Sequence, residues 1–407
     1  MLRGRQIMVI RGFGSCATCD HNYMLRAGVG IESYQVHYVD CSACGTPIVL
    51  AVRANPPEAY FEVEENFQLW THENDKSTVI NLHPNFAFDP EQFHNSRAFV
   101  SLDYTKRLFD AVKHLVPPEQ RQIDTAWLFD EPNISQVWGY VRRGLSLESG
   151  QHDDKLLKRS IDGYMACRKR FRPDITATDV SSMHIGFLRS AFFPRIEQLA
   201  DPAIALLEKT AAKHPDEFTS FQTFYKTELA EEQRNRFIST FSDYFKYYTQ
   251  YSQMLIHARL GDLDIGTKIV GSKAFEETKL YYGQVYEALT ASFVIYACLN
   301  NILQGRKYDQ FQSMTLNKYL KDVEKAKRAN PFSDEPVFFA FTQGLDSALR
   351  NGSHHASIWR DGDVVYYRSG GSGAERNMPF SNYLHMCNML TISLASTWLV
   401  DRRLTGS

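Results

Sequence analysis

From about residue 150 onward, apolar residues recur three and four positions apart, the pattern of helices packed on one side. Phe237, Phe241, Phe245, Tyr248, Tyr251 and Leu255 trace one face of a long helix. Val285, Leu289, Ser292, Tyr296, Leu299 and Leu303 do the same on the next. Aromatic stripes at this spacing read as core, not as platforms for stacking bases. Near the N-terminus the period shortens to two. Tyr34 to Val39 and Ile48 to Arg53 alternate and are rich in β-branched residues, so both are predicted strands. Past Asn55-Pro56-Pro57 the composition changes. Residues 58 to about 145 alternate short apolar runs, such as Val79 to Leu82, with the turn signals His83-Pro84-Asn85 and Asp89-Pro90. One helical stretch there, Leu102 to Leu115, is stopped by Pro117-Pro118.

The final hundred residues carry finer detail. A short helix from Thr315 to Lys327 breaks at Asn330-Pro331, and a second, Val337 to Arg350, sets Phe338, Phe341, Leu345 and Leu349 on one side. Ala356 to Trp359 and Val364 to Tyr367 form a hairpin turning at Asp361-Gly362. A glycine- and serine-rich loop, Ser369 to Gly373, leads to a closing apolar helix from Phe380 to Val400. The expected fold is mainly α, in four segments: a β-rich unit at 1–55, an irregular α+β region at 56–145, a helical linker at 146–224 and a helical bundle at 225–407.

Composition narrows the class. A chain of 407 residues exceeds one ordinary core of about 100–200, so two or three domains are expected. Hydrophobic residues at 43% and charged ones at 23% exclude a mainly disordered chain. With a formal charge of −2, a polyanion would have to be held by local patches. No stretch approaches the ~20 apolar residues that span a bilayer. Met1 to Cys16 is interrupted by Arg3, Arg5 and Arg11 and lacks the apolar run of a secretory signal. The expected setting is the cytoplasm, with no membrane partner.

Four of the seven cysteines fall in the first 44 positions, as Cys16-Ala-Thr-Cys19 and Cys41-Ser-Ala-Cys44. A reducing compartment keeps such thiols free, so a metal is favoured over disulfides. Each CxxC turn presents two thiolates, and two turns complete the tetrahedral sulfur shell of a structural Zn²⁺. Gly45 supplies backbone freedom beside the second pair. The arrangement resembles a zinc ribbon, serving either as a folding nucleus or as a recognition module. With four sulfurs the shell is full, which disfavours hydrolytic zinc chemistry. His21 and His37 are alternative ligands, though a solvated or strand-face histidine is the plainer reading of each. Cys167, Cys298 and Cys387 read as core filler.

The remaining chemistry lies at Leu349-Arg350-Asn351-Gly352-Ser353-His354-His355. Arginine stays charged and offers a planar fork to phosphate oxygens. Histidine, with an ordinary pKa near 6.5, moves protons at neutral pH. An arginine followed by asparagine and then, after a short gap, by histidine resembles the R-x₄₋₆-H motif of the HEPN superfamily. Spacing favours His355 over His354. The resemblance covers roughly residues 225 to 405. It implies a helical domain, a homodimer with two motifs across a shared cleft, and metal-independent cleavage of RNA by 2′-hydroxyl attack, as in toxins and phage-defence effectors. On that reading Arg350 clamps phosphate, Asn351 orients the histidine or donates to phosphate, and His355 is the acid or base.

Other readings stand beside it. Arg350, His354 and His355 could form a helix C-cap ended by Gly352. Arg107 to His114 also falls within the motif's range, with six residues between arginine and histidine, but Leu108 follows the arginine and the stretch ends in Val-Pro-Pro. Arg168-Lys169-Arg170 with Arg172 could track an RNA backbone or form a solvated helix face. Glu276, Glu277 and Glu287 could place a carboxylate near the motif, surface acids being the plainer reading. No Walker-type glycine loop is present. The alternative function is a catalytically inactive module that binds nucleic acid or protein; a third is a dimerisation scaffold. Any neutralising or sensor partner is unknown from the sequence.

Overall fold

Two small sheets are built first, because the opening residues alternate and turn at short intervals. A computed structural model describes residues 8–30, 32–55, 58–71, 76–113, 133–150, 153–169, 176–272, 274–355, 357–370 and 373–406. Strands β1 (Met8–Cys16) and β2 (Asn22–Val29) form an antiparallel hairpin, as do β3 (Tyr34–Asp40) and β4 (Pro47–Asn55). The boundary expected near residue 55 falls inside a sheet. Strand β5 (Glu58–Glu65) returns along β4, with Asn55 opposite Glu58. Strand β6 (Phe67–Trp70) then pairs with β1, and β7 (Thr78–Leu82) runs parallel to β2. The sheets are therefore β6-β1-β2-β7 and β3-β4-β5. The proline pair that reads as a linker separates two paired strands, and proline punctuates a hairpin as readily as a domain boundary.

Between the sheets lies a core that includes Tyr23, Leu25, Ala27, Ile48, Leu50 and Val52. The helix Val100–Val112 lays Tyr104, Leu108 and Val112 into it, and Ile256 joins from the helical part. A second, larger core draws on described residues from Ala87 to Leu404, so segments 146–224 and 225–407 share one interior. Its axis is the closing helix Phe380–Thr405, buried on nearly every side. The rings of Phe237 and Phe241 stack on Trp398 of that helix at 5.0 and 5.5 Å. The aromatic stripes are core. Each stripe, however, spans two helices instead of one: Ala230–Lys246 and Tyr248–Leu260 meet at Tyr247, and Tyr281–Ser292 and Val294–Leu303 meet at Phe293.

Helices make up 57% of the described residues, and the strands form three sheets, so the architecture is a mixture of α and β. The third sheet is the expected hairpin, β8 (Ile358–Asp361) and β9 (Val364–Arg368), extended by β10 (Glu375–Pro379). Gly362 turns it with φ of 55°, the left-handed region where glycine is favoured. Among the described residues no helix is long and apolar enough to cross a membrane.

Candidate functional site

Cys16 ends β1 and Cys41 follows β3, so the two CxxC turns close hairpins belonging to different sheets. The turns share one geometry. The amide of Asp20 donates to the carbonyl of Cys16 at 3.0 Å, and that of Gly45 to Cys41 at 2.8 Å. The residue four after each leading cysteine is left-handed, Asp20 with φ of 57° and Gly45 with φ of 74°. Glycine fits there without strain, and aspartate is among the few other residues that tolerate it. The four sulfurs lie within 4.8 Å of one another, with Cys16 to Cys44 at 3.8 Å and Cys19 to Cys41 at 3.6 Å. A tetrahedral metal with bonds of about 2.3 Å to sulfur sets its ligands about 3.8 Å apart, so the donor set fits such an ion.

Electrostatics agree with a site that needs a cation. Burial opposes ionisation of Cys41, but the Tyr23 hydroxyl at 3.1 Å and the amides of Ala43 and Cys44 outweigh it and bring the thiol down to about 6. At Cys19 the His21 amide favours the thiolate, yet the sulfurs of Cys44, Cys41 and Cys16 push the thiol up to about 12. Cys44 is lowered too, by the hydroxyl and amide of Thr46, so both thiols of the second turn ionise more readily than usual, while Cys19 resists until a positive ion sits among the sulfurs. The histidines stand apart from this cluster. His21 Nε2 bonds the Thr78 hydroxyl at 2.8 Å, and His37 is buried in the core.

The arginine motif sits on a helix of its own. The helix expected from Val337 to Arg350 breaks at Gly344, whose φ of 85° ends one run, and restarts as Ser347–His354. Asp346 caps the new helix, its Oδ1 accepting from the amides of Ala348 at 2.7 Å and Leu349 at 3.0 Å. The Tyr282 hydroxyl accepts from the Asp346 amide at 2.7 Å and donates to the carbonyl of Gly344 at 2.8 Å. Asp346→Ala should therefore lower stability by about 1 kcal/mol, seen as a lower urea midpoint. Arg350 thus lies mid-helix, and Gly352, expected as the terminator, is helical. A side chain at Gly352 would come within 3.1 Å of Tyr367 Cβ and 3.3 Å of the Arg368 carbonyl, so the glycine admits β9 against the helix. The C-cap reading holds for the histidines, with His354 in the last turn and His355 as the cap residue whose amide donates to the Asn351 carbonyl at 3.0 Å, and is corrected for Arg350 and Gly352, which lie inside the helix.

Arg350 is half-buried and already held. Its Nε donates to Glu287 Oε1 at 2.7 Å, a second donor reaches the same oxygen, and one Nη donates to Asn351 Oδ1 at 2.8 Å. Glu287, on the helix Tyr281–Ser292, also faces Lys325 at 3.5 Å. Asn351 in turn donates to the Ser369 hydroxyl at 3.3 Å. Asn351 therefore orients the arginine, not a histidine, and Glu287 is the carboxylate at the motif. Glu276 pairs with Lys279 on the surface, and Glu277 is exposed. His354 and His355 are both exposed, and His354 lies close to Gly283. Among the described residues no hydrogen bond links either imidazole to Arg350 or Asn351. The structure brings together Arg350, Asn351 and Glu287, with the histidines beside them in sequence.

Two other cationic candidates lie only partly within the described residues. Arg107 forms a paired contact with Asp262, both oxygens at 2.9 Å, and His114 lies outside the described residues. Arg168 is buried and donates to the Ser190 hydroxyl at 2.7 Å, while Arg170 and Arg172 are outside the described residues. Cys298 and Cys387 are fully buried and Cys167 packs partly against the same core. No family model, curated protein or solved structure matches this chain.

Proposed function

We propose that the chain is a HEPN-type endoribonuclease, a toxin or phage-defence effector in which Arg350 and His355 of two copies meet over RNA. The observation that carries the reading is the fixed guanidinium: Arg350 stands on a capped helix, oriented by Glu287 and Asn351, one turn before two exposed histidines. A histidine takes the proton of a ribose 2′-hydroxyl, whose oxygen attacks the adjacent phosphorus. The bond from phosphorus to the 5′ oxygen breaks, and a second histidine protonates that oxygen. Arg350 trades part of its pairing with Glu287 for the phosphate oxygens, whose charge it stabilises. The cysteine cluster holds a structural zinc and takes no part in bond breaking. Assignment to defence rests on family analogy.

Purified wild type, Arg350→Ala and His355→Ala are compared on total tRNA and rRNA without added divalent cation. Wild type should cut, and each variant should lose about 10²-fold or more. Equal cutting by all three, or none by wild type between pH 6 and 8, would overturn the catalytic claim. One observation favours a second reading. The donors of Arg350 that reach Glu287 and Asn351 are committed within the chain, which suits a binding module without chemistry. That reading expects RNA retained on a gel with no new ends and no effect of His355→Ala.

A further inference from the structure

Between Lys318 and Arg328 the chain places five cations and two carboxylates, Asp322 and Glu324, in a molecule whose formal charge is −2. A polyanion would have to meet a local patch of this kind. The segment forms a short helix, Leu316–Asp322, and a 3₁₀ turn, Lys325–Lys327, that packs against the helix Tyr281–Ser292. That turn sets half-buried Lys325 against Glu287, whose two oxygens are shared: Arg350 takes Oε1, and Lys325 faces Oε2 at 3.5 Å. Arg328 is 8% exposed, its Nη2 donating to the Leu320 carbonyl at 2.9 Å and its Nε to that of Val323 at 3.4 Å. Those acceptors are neutral, and among the described residues no carboxylate pairs with Arg328. Glu324 is taken by Lys327 at 2.8 Å, and Glu232 by Arg236. Glu287 is thus one carboxylate among Arg350, Lys325 and Arg328, with Arg236 near enough to act on Lys325. Burial, together with the charges of Arg328 and Arg236, pushes the Lys325 ammonium below its ordinary range.

An excess of this sign selects among ligands. A metal cation would add to it and a neutral molecule would leave it standing, whereas an anion relieves it. Lys325 has donors to offer, because an ammonium carries three and its contact with Glu287 is long. The charged ends of Lys325 and Arg350 flank the same carboxylate, a separation comparable to that of adjacent phosphates along an extended strand. We propose that Lys325, backed by Arg328 and Arg236, is a phosphate subsite that holds the RNA backbone next to the phosphodiester at Arg350. The placement of that phosphodiester rests on the nuclease reading; the excess charge does not.

Fluorescence anisotropy on the full chain, with a labelled 2′-O-methyl oligouridylate of about ten nucleotides, reads binding without cleavage, since no 2′-hydroxyl is free to attack. Wild type should bind. Lys325→Gln should weaken binding about fivefold or more and flatten the plot of log K against log salt by about 0.7, the loss of one single-strand phosphate contact. Lys325→Arg should keep both affinity and slope, and Lys213→Gln, at an exposed lysine on the helix Arg195–Lys213, should change neither. Uridine 5′-monophosphate and an oligoglutamate peptide should compete far more weakly than the unlabelled strand. No binding by wild type, an unchanged slope in Lys325→Gln, or equal losses in Lys325→Gln and Lys213→Gln would overturn the proposal. So would a monophosphate or acidic peptide that competes as well as the strand. Should Lys325→Gln melt early, Lys325→Arg decides, and a loss of affinity there overturns the subsite. Native RNA left uncut by a wild type that binds the oligouridylate would count against the nuclease reading alone.

Discussion

Replacing Cys41 and Cys44 together by serine is expected to abolish metal binding at the four-cysteine cluster and to unfold the N-terminal sheets. The two CxxC turns sit on hairpins of different sheets, so an ion among the four sulfurs ties β1 and β2 to β3 and β4. The core between those sheets is small and made largely of short strands, and such modules depend on a staple. A structural zinc contributes roughly 10 kcal/mol or more to folding at neutral pH, beyond what a core of this size supplies. Elemental analysis should find about one zinc per wild-type chain and none in the double variant. Limited proteolysis should then cut within residues 8–70 while the part from 134 onward resists. A metal-free variant with an unchanged melting curve would refute the staple.

Acidification from pH 7 to pH 5 should remove several kcal/mol of stability. His37, His83 and His385 are almost fully buried, and desolvation lowers them to about 4, 3 and 4. In the unfolded chain each returns to about 6.5. The unfolded state therefore takes up protons that the folded state refuses. Their stabilising effect is complete above pH 6.5 and declines as pH falls toward 4. At pH 5 each loses about 2 kcal/mol, since one pKa unit corresponds to about 1.4 kcal/mol. Asp401 opposes this. Burial raises its carboxyl to about 6 despite the Tyr225 hydroxyl, so its contribution is present below pH 3.8 and lost as pH rises through 6. That offsets about 1 kcal/mol of the histidine loss over the same interval. A urea midpoint that does not fall between pH 7 and 5 would contradict the burial of these rings.

The cysteine cluster was legible in the sequence because its ligands are local: two CxxC turns with a glycine after one of them need no tertiary knowledge. Asp20, the left-handed counterpart of Gly45, carries no comparable signal. The strands β3 and β4 and the β8–β9 hairpin were legible for the same local reason. Strands β5 to β7 were not, since nothing local distinguishes a return strand from an irregular run, and the parallel pairing of β2 with β7 spans some fifty residues. Helix breaks at Tyr247 and Phe293 escaped because the aromatic period continues across both. The break at Gly344 and the cap at Asp346 did leave signals, a glycine inside an apolar period and an aspartate before Ser347. Glu287 could be named but not placed, because its contact with Arg350 spans sixty-three residues. The neutral pair His37 and His83 exists only once β3 and β7 are brought together.

The end groups of the cleaved RNA test the nuclease assignment most directly. Attack by a 2′-hydroxyl leaves a 2′,3′-cyclic phosphate and a free 5′-hydroxyl, and it cannot occur at a 2′-deoxy position. Wild-type protein acting on a defined RNA without added divalent cation should give those ends, and Arg350→Ala should not. Products bearing 5′-phosphate, cutting of the 2′-deoxy substrate, or identical products from Arg350→Ala would contradict the account.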